Sequence, residues 1–151
     1  MPLKGLGDVK KAMEDLKQSA NDDVTGVYLA GMKNIIEQTP AQSGGTRNSW
    51  FLSTKSQVSN TARKPSMNGS DSISSVLRGM PKNVLGKTLY FVNNSPPINL
   101  LEYGGYPNPV KLGSWIDGKY QILSSGGYSK QAPGGWVRKN LILMQKKIRT
   151  L

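Results

Sequence analysis

An apolar pattern with the period of an α-helix, near the start of the chain, constrains the fold most. Asp8 predicts where the helix starts, because an aspartate can accept from the first free backbone donors. Thr39-Pro40 ends it, since a residue before proline leaves the helical region. An unbroken helix over this length would measure about 45 Å, more than a small domain needs for its own core. The sequence therefore predicts either a kink near Asn21-Asp22 or an end that reaches a neighbouring molecule. The apolar or small residues recur at steps of three and four: Val9, Met13, Leu16, Ala20, Val24, Val27, Gly31 and Ile35.

A second helical pattern follows residues 129–138, which read SKQAPGGWVR. Pro133 favours an extended approach, and Gly134-Gly135 then lets the backbone turn at little steric cost. From Trp136 onward the chain predicts a helix with one buried face and a basic polar face. The residues expected on the buried face are spaced at four, three and four: Val137, Leu141, Met144 and Ile148.

The middle of the chain predicts strands joined by loops. Three segments have strand character, at 47–58, 85–93 and 113–123, and Asp117-Gly118 supplies the turn of a hairpin within the last. A short helix is expected after Asp71 as its cap, with Ile73, Val76, Leu77 and Met80 on one face, and a single helical turn at Ile98–Tyr103. Residues 59–70 and 106–128 read as long loops that order on assembly. We therefore expect one α+β domain over 1–151, with a helix at 1–39 and a basic body at 40–151 holding a small, mostly antiparallel sheet.

The residue types exclude much of enzyme chemistry. The chain has neither cysteine nor histidine, so thiolate nucleophiles, imidazole bases, disulfides and the commonest transition-metal ligands are absent. Only Asp71, Glu102 and Asp117 carry side-chain carboxylates after residue 40, which argues against a paired-carboxylate site. We expect no enzyme, cofactor or metal. Glu102 is expected to be a buried structural carboxylate or to bridge to a neighbour's Arg or Lys.

Charge is distributed unevenly along the chain. Residues 1–40 hold five lysines against six acids, whereas residues 41–151 hold fifteen basic residues against three acids. Such a body attracts a polyanion, either nucleic acid or the acidic face of a partner protein. No apolar run is long enough for a membrane span and the first residues lack the apolar core of a signal peptide, so we expect no membrane partner. The candidate residues for contact with DNA or an acidic partner are Arg63, Lys64, Lys119, Lys130 and Lys139.

Three separated segments resemble one protein family. The first is TPAQSGGTRNS at 39–49, the second is Glu102 with Gly104, and the third is SKQAPGGWVR at 129–138. Together they resemble the neck or tail-completion proteins of long-tailed bacteriophages, small head–tail joining proteins similar to the minor tail protein Z of lambda-type phages. The chain departs from the family at Gly45-Thr46, at Pro97-Ile98 and in a longer segment at 106–128, which leaves the phage subgroup and the ring of the neck open.

The resemblance implies a structural virion protein without catalysis. Copies would form a ring, six-fold by analogy, around the DNA channel between head and tail, after assembly in the host cytoplasm. The partners implied are other copies, connector or head-closure proteins, tail-terminator or tail-tube proteins, and the genomic double-stranded DNA. Two alternatives are a sequence-independent DNA-binding protein and the tail-terminator ring itself. The residues expected to contact another subunit or a partner are Arg47, Glu102, Gln131, Trp136 and Arg138, with Glu102 and Arg138 as a charged pair within or between subunits.

Overall fold

The structure is a computed structural model that describes residues 5–55, 63–105, 114–122, 127–132 and 134–151. It is an α+β fold with a long N-terminal helix, a small antiparallel sheet and a C-terminal helix, which confirms the predicted class. The described elements, in chain order, are α1 (Leu6–Gln38), β1 (Trp50–Ser53), α2 (Ser70–Gly79), β2 (Tyr90–Asn93), α3 (Ile98–Tyr103), β3 (Ser114–Ile116), β4 (Lys119–Gln121) and α4 (Trp136–Arg149).

Helix α1 runs without interruption for 33 residues, a length of about 50 Å. It begins after Gly5 with no side-chain cap, so the prediction of Asp8 as the cap was wrong and Asp8 lies in the first turn. The helix continues past Asn21 because that side chain makes a tertiary contact instead of capping a new helix. Its Nδ2 donates to the carbonyl of Lys82 at 2.8 Å, and its Oδ1 accepts from the amide of Val84 at 2.7 Å.

The strands form two separate two-stranded sheets, and the predicted single sheet was wrong in this respect. Strands β1 and β2 pair antiparallel, with Trp50 opposite Asn93, and the ring of Trp50 stacks on Phe91 at 4.6 Å. Within the described ranges, strands β3 and β4 pair only with each other. Asp117 and Gly118 have φ values of 50° and 75°, which confirms the predicted two-residue hairpin turn. Because that turn places β3 directly beside β4, the hairpin satisfies its inner backbone groups locally.

The hydrophobic core lies around the C-terminal half of α1. Helices α2, α3 and α4 and the sheet of β1 and β2 all pack there. The central residues are buried and apolar: Met32, Ile35, Ile36, Trp50, Leu52, Val76, Leu101, Ala132 and Trp136.

The buried face of α4 only partly matches the prediction: Met144 is buried as predicted and Val137 and Ile148 are partly buried. Trp136, Asn140 and Met144 are buried, whereas Leu141 is half-exposed. Gly31 of α1 accommodates this face, because its missing side chain leaves the space that Met144 fills. The buried Asn140 amide donates to Gln38 Oε1 at 2.9 Å and to the carbonyl of Trp136 at 2.8 Å, so its burial leaves no donor unpaired.

Helix α2 differs from its prediction in its N-terminal cap and in one residue of its buried face. It begins at Ser70 after Gly69, and Leu77 is exposed although it was expected on the buried face with Val76. Asp71 is not the cap. Asn48 takes that role from outside the helix, since its Oδ1 accepts from the amides of Asp71 at 2.8 Å and Ser72 at 3.3 Å.

The predicted loops are only partly described. Residues 63–69 of the expected loop at 59–70 pack on the body, where the amide of Arg63 donates to Ser49 Oγ at 3.0 Å and that of Ser66 to the carbonyl of Gly44 at 3.3 Å. Residues 59–62 lie outside the described part of the chain. So do 106–113 and 123–126 of the loop expected at 106–128.

Candidate subunit-contact site

The three segments that carry the family resemblance meet at one place, beside the C-terminal end of α1. We call this place the motif junction, defined by Thr39, Arg47, Glu102, Gln131, Trp136 and Arg138. Arg47 Nε donates to the carbonyl of Thr39 at 2.9 Å, and Gln131 Oε1 accepts from the amide of Ala41 at 2.8 Å. Trp136 Nε1 donates to the carbonyl of Ile35 at 3.0 Å. Residues up to 101 positions apart are therefore joined directly.

Glu102 organises the junction by capping α4. Its Oε2 accepts from the amide of Val137 at 3.0 Å, and its Oε1 accepts from the amide of Arg138 at 3.0 Å. These are the second and third residues of α4, whose amides have no partner within the helix. The carboxylate also lies at the positive end of the helix dipole. Glu102 is thus a buried structural carboxylate, one of the two roles the sequence left open for it.

Arg138 completes the contact within the chain. Its Nε lies 2.9 Å from Glu102 Oε1, and its Nη2 donates to the carbonyl of Glu102 at 2.9 Å. The guanidinium also lies 4.9 Å from the centre of the Tyr103 ring. Hydrogen bonding to Glu102, and then to Tyr128, raises the pKa of Arg138 above its ordinary value. The described charged pair is therefore intramolecular, while about half of the Arg138 side chain stays exposed.

Gly135 permits this close approach. It has a φ of 78°, and a Cβ there would lie 2.6 Å from Arg138 Nη2 and 2.9 Å from the carbonyl oxygen of Glu102. Any larger residue would force the backbone of α3 away from the start of α4. The glycine before Trp136 therefore serves the fit between two helices as well as the turn.

The predicted contact residues divide by exposure. Trp136 and Glu102 are buried and bonded inside the chain. Arg47 and Gln131 line an open cleft of about 320 Å³, shared with Glu37 and Lys139. The cleft and the outer part of Arg138 are the surfaces of the junction that a neighbour can reach. The assignment of all five residues to subunit contact remains a prediction.

The basic candidates also divide. Lys64, Lys119, Lys130 and Lys139 are exposed. Arg63 instead points into the body, where its Nη1 donates to the carbonyls of Asn48 at 3.0 Å and Trp50 at 2.7 Å. Its guanidinium carbon lies 3.8 Å from the centre of the Phe51 ring. Burial lowers the pKa of Arg63, while Asp71 acts in the opposite direction.

Sequence reasoning missed the buried polar residues that hold these segments. Asn48 is fully buried, and its Nδ2 donates to Asp71 Oδ2 and to the carbonyl of Lys64, both at 2.8 Å. Thr39 is fully buried as well, and its Oγ1 accepts from Trp50 Nε1 at 2.9 Å. The only indication in the sequence was their position inside a polar segment directly before an aromatic strand.

Comparison of the chain with protein-family models, with curated proteins and with solved structures found no match. Within the described ranges, no cluster of three or more acidic side chains is placed to hold a metal ion. Of the helices described, none has both the length and the apolar character that a membrane span requires.

Proposed function

We propose that this chain is a structural virion protein of a tailed bacteriophage, which joins head and tail by assembling as a ring around the DNA channel. The observation that carries the proposal is the motif junction. Three short segments resemble one family, and although they are scattered along the sequence they are joined by direct hydrogen bonds, from the amide of Ala41 to Gln131 and from the amides of Val137 and Arg138 to Glu102. Chance matches would have no reason to lie together.

The shape and charge of the described parts suit a ring. A closed ring needs two different patches on each subunit, so that the patch of one copy meets the other patch of the next. Helix α1 extends well beyond the core, which involves only its C-terminal half. The body around that core is strongly basic, while the N-terminal forty residues are nearly neutral. These are two surfaces of different character on one subunit.

The test is the position of the chain in virions. Gold-labelled antibodies against the protein, imaged by electron microscopy on tailed virions that contain it, should mark the neck between capsid and tail. Phage assembly without the protein should yield filled heads and tails that are not joined. Labelling along the tail tube, at the tail tip or within the capsid would contradict the proposal. Labelling at the tail's upper end together with direct binding to the tube protein would favour the tail-terminator ring.

A sequence-independent DNA-binding protein is the second candidate, favoured by the exposed lysines. Fluorescence anisotropy with a short DNA duplex across a salt series would test it, since each phosphate contact adds about 0.9 to the slope of log affinity against log salt. A variant with Lys64, Lys119, Lys130 and Lys139 changed to Gln should then bind more weakly with a shallower slope. A variant with Lys10, Lys11, Lys17 and Lys33 changed to Gln is the matched control, because it removes the same number of exposed charges from the nearly neutral N-terminal region. Weak binding that vanishes near physiological salt would reject this candidate.

A further inference from the structure

The two edges of the β1–β2 sheet differ in how their main-chain groups are bonded. On the outer side of β1, the amides of Trp50 and Leu52 donate to Ser72 Oγ at 2.9 Å and to Ser75 Oγ at 3.2 Å, both on α2. The carbonyl of Trp50 accepts from Arg63 Nη1 at 2.7 Å. Helix α2 and Arg63 thus bond to the main-chain groups that an added strand would need on this side.

The outer edge of β2 is open within the described ranges. Since the two β1 amides point away from β2, the ladder bonds fall to the alternate residues, and Phe51 shares them with Val92. The main-chain groups of Phe91 and Asn93 therefore point away from β1, and no described residue bonds to them. An open strand edge binds an extended strand, because extended main chain presents donors and acceptors at the matching spacing.

A groove of about 660 Å³ runs beside this edge. Phe91, Val92 and Asn93 all line it, although successive side chains of a strand point to opposite faces, so the groove follows the edge of β2. Helices α3 and α4 form the other wall, where Arg138 contributes a half-exposed guanidinium. The only acid among the lining residues, Glu102, is buried and already caps α4. The groove therefore offers strand hydrogen bonds beside a cation that a partner can reach.

The β3–β4 hairpin is an extended element that needs a further strand. Among the described strands, β3 and β4 pair only with each other, and a two-stranded hairpin alone is at best marginally stable in water. The excursion that carries the hairpin is closed at its base, where the amide of Gly105 donates to the carbonyl of Gly127 at 2.7 Å. Residues 117–120 at its tip are all exposed. A third strand would give the hairpin the support that it lacks.

The hairpin tip also carries the acid that the groove lacks. The basic body, residues 41–151, has three acids. Asp71 accepts from Asn48, and Glu102 caps α4. Asp117 is exposed and makes no hydrogen bond or ion pair with another described residue. With Lys119 beside it the tip is neutral, and Asp117 is the acid that the body can supply to Arg138 of another molecule.

We propose that the β3–β4 hairpin of one copy docks on the open edge of β2 in a second copy. The hairpin extends the β1–β2 sheet to four strands, and its tip brings Asp117 to the wall that carries Arg138. The two surfaces are different parts of the molecule, so the contact is heterologous. Such a contact propagates from copy to copy and closes into a ring when the rotation allows.

Two other strands fit the open edge less well. A second copy's β2 would match its hydrogen bonds but would set two groove walls against each other, each with a reachable Arg138 and no acid to meet it. The hairpin of the same chain is not paired with this edge, since the two sheets are separate. The hairpin of another copy supplies both the strand and the acid.

The inference gives the proposed ring an interface but rests on the open edge and the hairpin and not on the neck function. A ring closed by this contact can serve another purpose, and a neck protein can assemble through another surface. Labelling of virions and the experiment below therefore fail independently of each other.

The hydrogen-bond pattern limits which residues can face each other. Val92 directs its main-chain groups to β1, so with an added strand it forms a non-hydrogen-bonded pair. In the hairpin, the two-residue turn makes Ile116 and Lys119 a hydrogen-bonded pair, and Ser114 and Gln121 form the next one. These four residues use their main-chain groups inside the hairpin, as Val92 does inside its own sheet. Val92 should therefore face one of the four, with their Cα atoms about 4.5 Å apart.

Disulfide trapping tests the contact directly, because the natural chain contains no cysteine. A tagged Val92→Cys variant is mixed with a cysteine variant of each of the four hairpin residues in turn, and the mixture is oxidised. A disulfide needs Cα atoms about 4.4–6.8 Å apart, so a mixed dimer should accumulate with residues of one hairpin strand. Trp115→Cys and Tyr120→Cys are the matched controls. They alternate with the four residues along the strands, so they are out of phase with Val92 and should give little mixed dimer.

The other outcomes each overturn the proposal. Equal trapping with the out-of-phase controls, or with Leu77→Cys on α2, would show random collision. Preferential Val92→Cys self-dimers would show pairing of two β2 edges. A chain that carries both cysteines and closes the disulfide only within itself would show docking of the hairpin on its own sheet. No mixed dimer at any concentration would show that the contact does not form.

Sedimentation gives a second measurement without cysteines. Val92 is only half-buried, and Val92→Lys places on the edge a charge that opposes strand addition, so the dissociation constant between copies should rise about 10-fold or more. Val92→Thr keeps a β-branched residue and should leave it unchanged. Asp117→Asn keeps a residue that suits the turn but removes the acid, and should raise the constant about 2–5-fold. Unchanged association of the Val92→Lys variant would reject the contact.

Discussion

Oε1 of Glu102 accepts from both the backbone amide and the side-chain Nε of Arg138, at 3.0 and 2.9 Å. The same carboxylate oxygen of Glu102 thus caps α4 at the amide of Arg138 and forms an ion pair with the guanidinium of Arg138. The cap and the ion pair should contribute unequally to the stability of the fold. The Glu102 side chain is only 7% exposed, whereas that of Arg138 is 48% exposed, so solvent screens the ion pair from one side. The cap is the part that the fold depends on.

We predict unequal effects when either partner of this pair is removed. Glu102→Ala leaves two amides of α4 unpaired, which should lower the free energy of unfolding by about 2–4 kcal/mol. Arg138→Ala should cost clearly less, because the cap remains. Urea unfolding of the two variants, followed by circular dichroism, measures both. Equal losses would mean that the ion pair, and not the cap, joins α3 to α4.

A charge exchange at the same pair should fail to restore stability. Combining Glu102→Arg with Arg138→Glu keeps the opposite charges but places a cation against the amides and the positive dipole at the start of α4. We expect the double variant to unfold at a lower urea concentration than Arg138→Glu alone. Recovery to the stability of the natural chain would show that charge alone matters here.

The packing of α1 on α4 predicts opposite effects at two glycines of α1. Gly31→Ala places a Cβ against Cγ and Sδ of Met144, and overpacking of this kind should cost about 1–3 kcal/mol. Gly26→Ala meets no atom within 4 Å, so it should stabilise the helix by about 0.5–1 kcal/mol. Thermal unfolding compares them. Adding Met144→Ala to Gly31→Ala should recover part of the loss, and strict additivity would contradict the contact.

Asn48 should tolerate neither loss of its amide nor a carboxylate in its place. Asn48→Ala removes partners from the amides of Asp71 and Ser72, with an expected cost of about 2–4 kcal/mol. Asn48→Asp should be at least as destabilising. Asn48 Nδ2 donates to Asp71 Oδ2 at 2.8 Å, and an aspartate would place a second carboxylate oxygen there in place of the donor. Exposed Asn83→Ala serves as the control. If Asn48→Asp is as stable as the natural chain, the orientation of this amide is wrong.

Arg63 should act on stability through the shape of its guanidinium. Arg63→Ala should cost about 1–3 kcal/mol, because two backbone carbonyls of the body lose a charged donor. Arg63→Lys keeps the charge but not the planar fork over Phe51, so it should recover less than half of the loss. Lys64→Ala is the neighbouring control and should be close to neutral. Full recovery by lysine would show that charge alone holds residues 63–69.

Local patterns predicted most elements of the fold, and their errors have specific causes. The apolar period located α1 and α4, and Asp117-Gly118 located a hairpin. The period placed Leu141 and Met144 together on the buried face of α4, but of these two only Met144 is buried, because it fills the space at Gly31 of another helix. The caps were wrong for a related reason. Asp8 and Asp71 are suitable residues, but neither caps its helix, and α2 receives its cap from Asn48, over twenty positions away in the chain.

By itself, the sequence determined the helical and extended segments, the absence of thiol and imidazole chemistry, and the separation of a nearly neutral N-terminal region from a basic body. Those properties follow from residue type and from neighbours a few positions away. Only the tertiary structure decided that Glu102 caps α4, that Arg63 is used inside the body and that α1 continues unbroken through Asn21. Each of these depends on a hydrogen-bond partner or a space supplied by a distant segment, and no local pattern encodes which segment that will be.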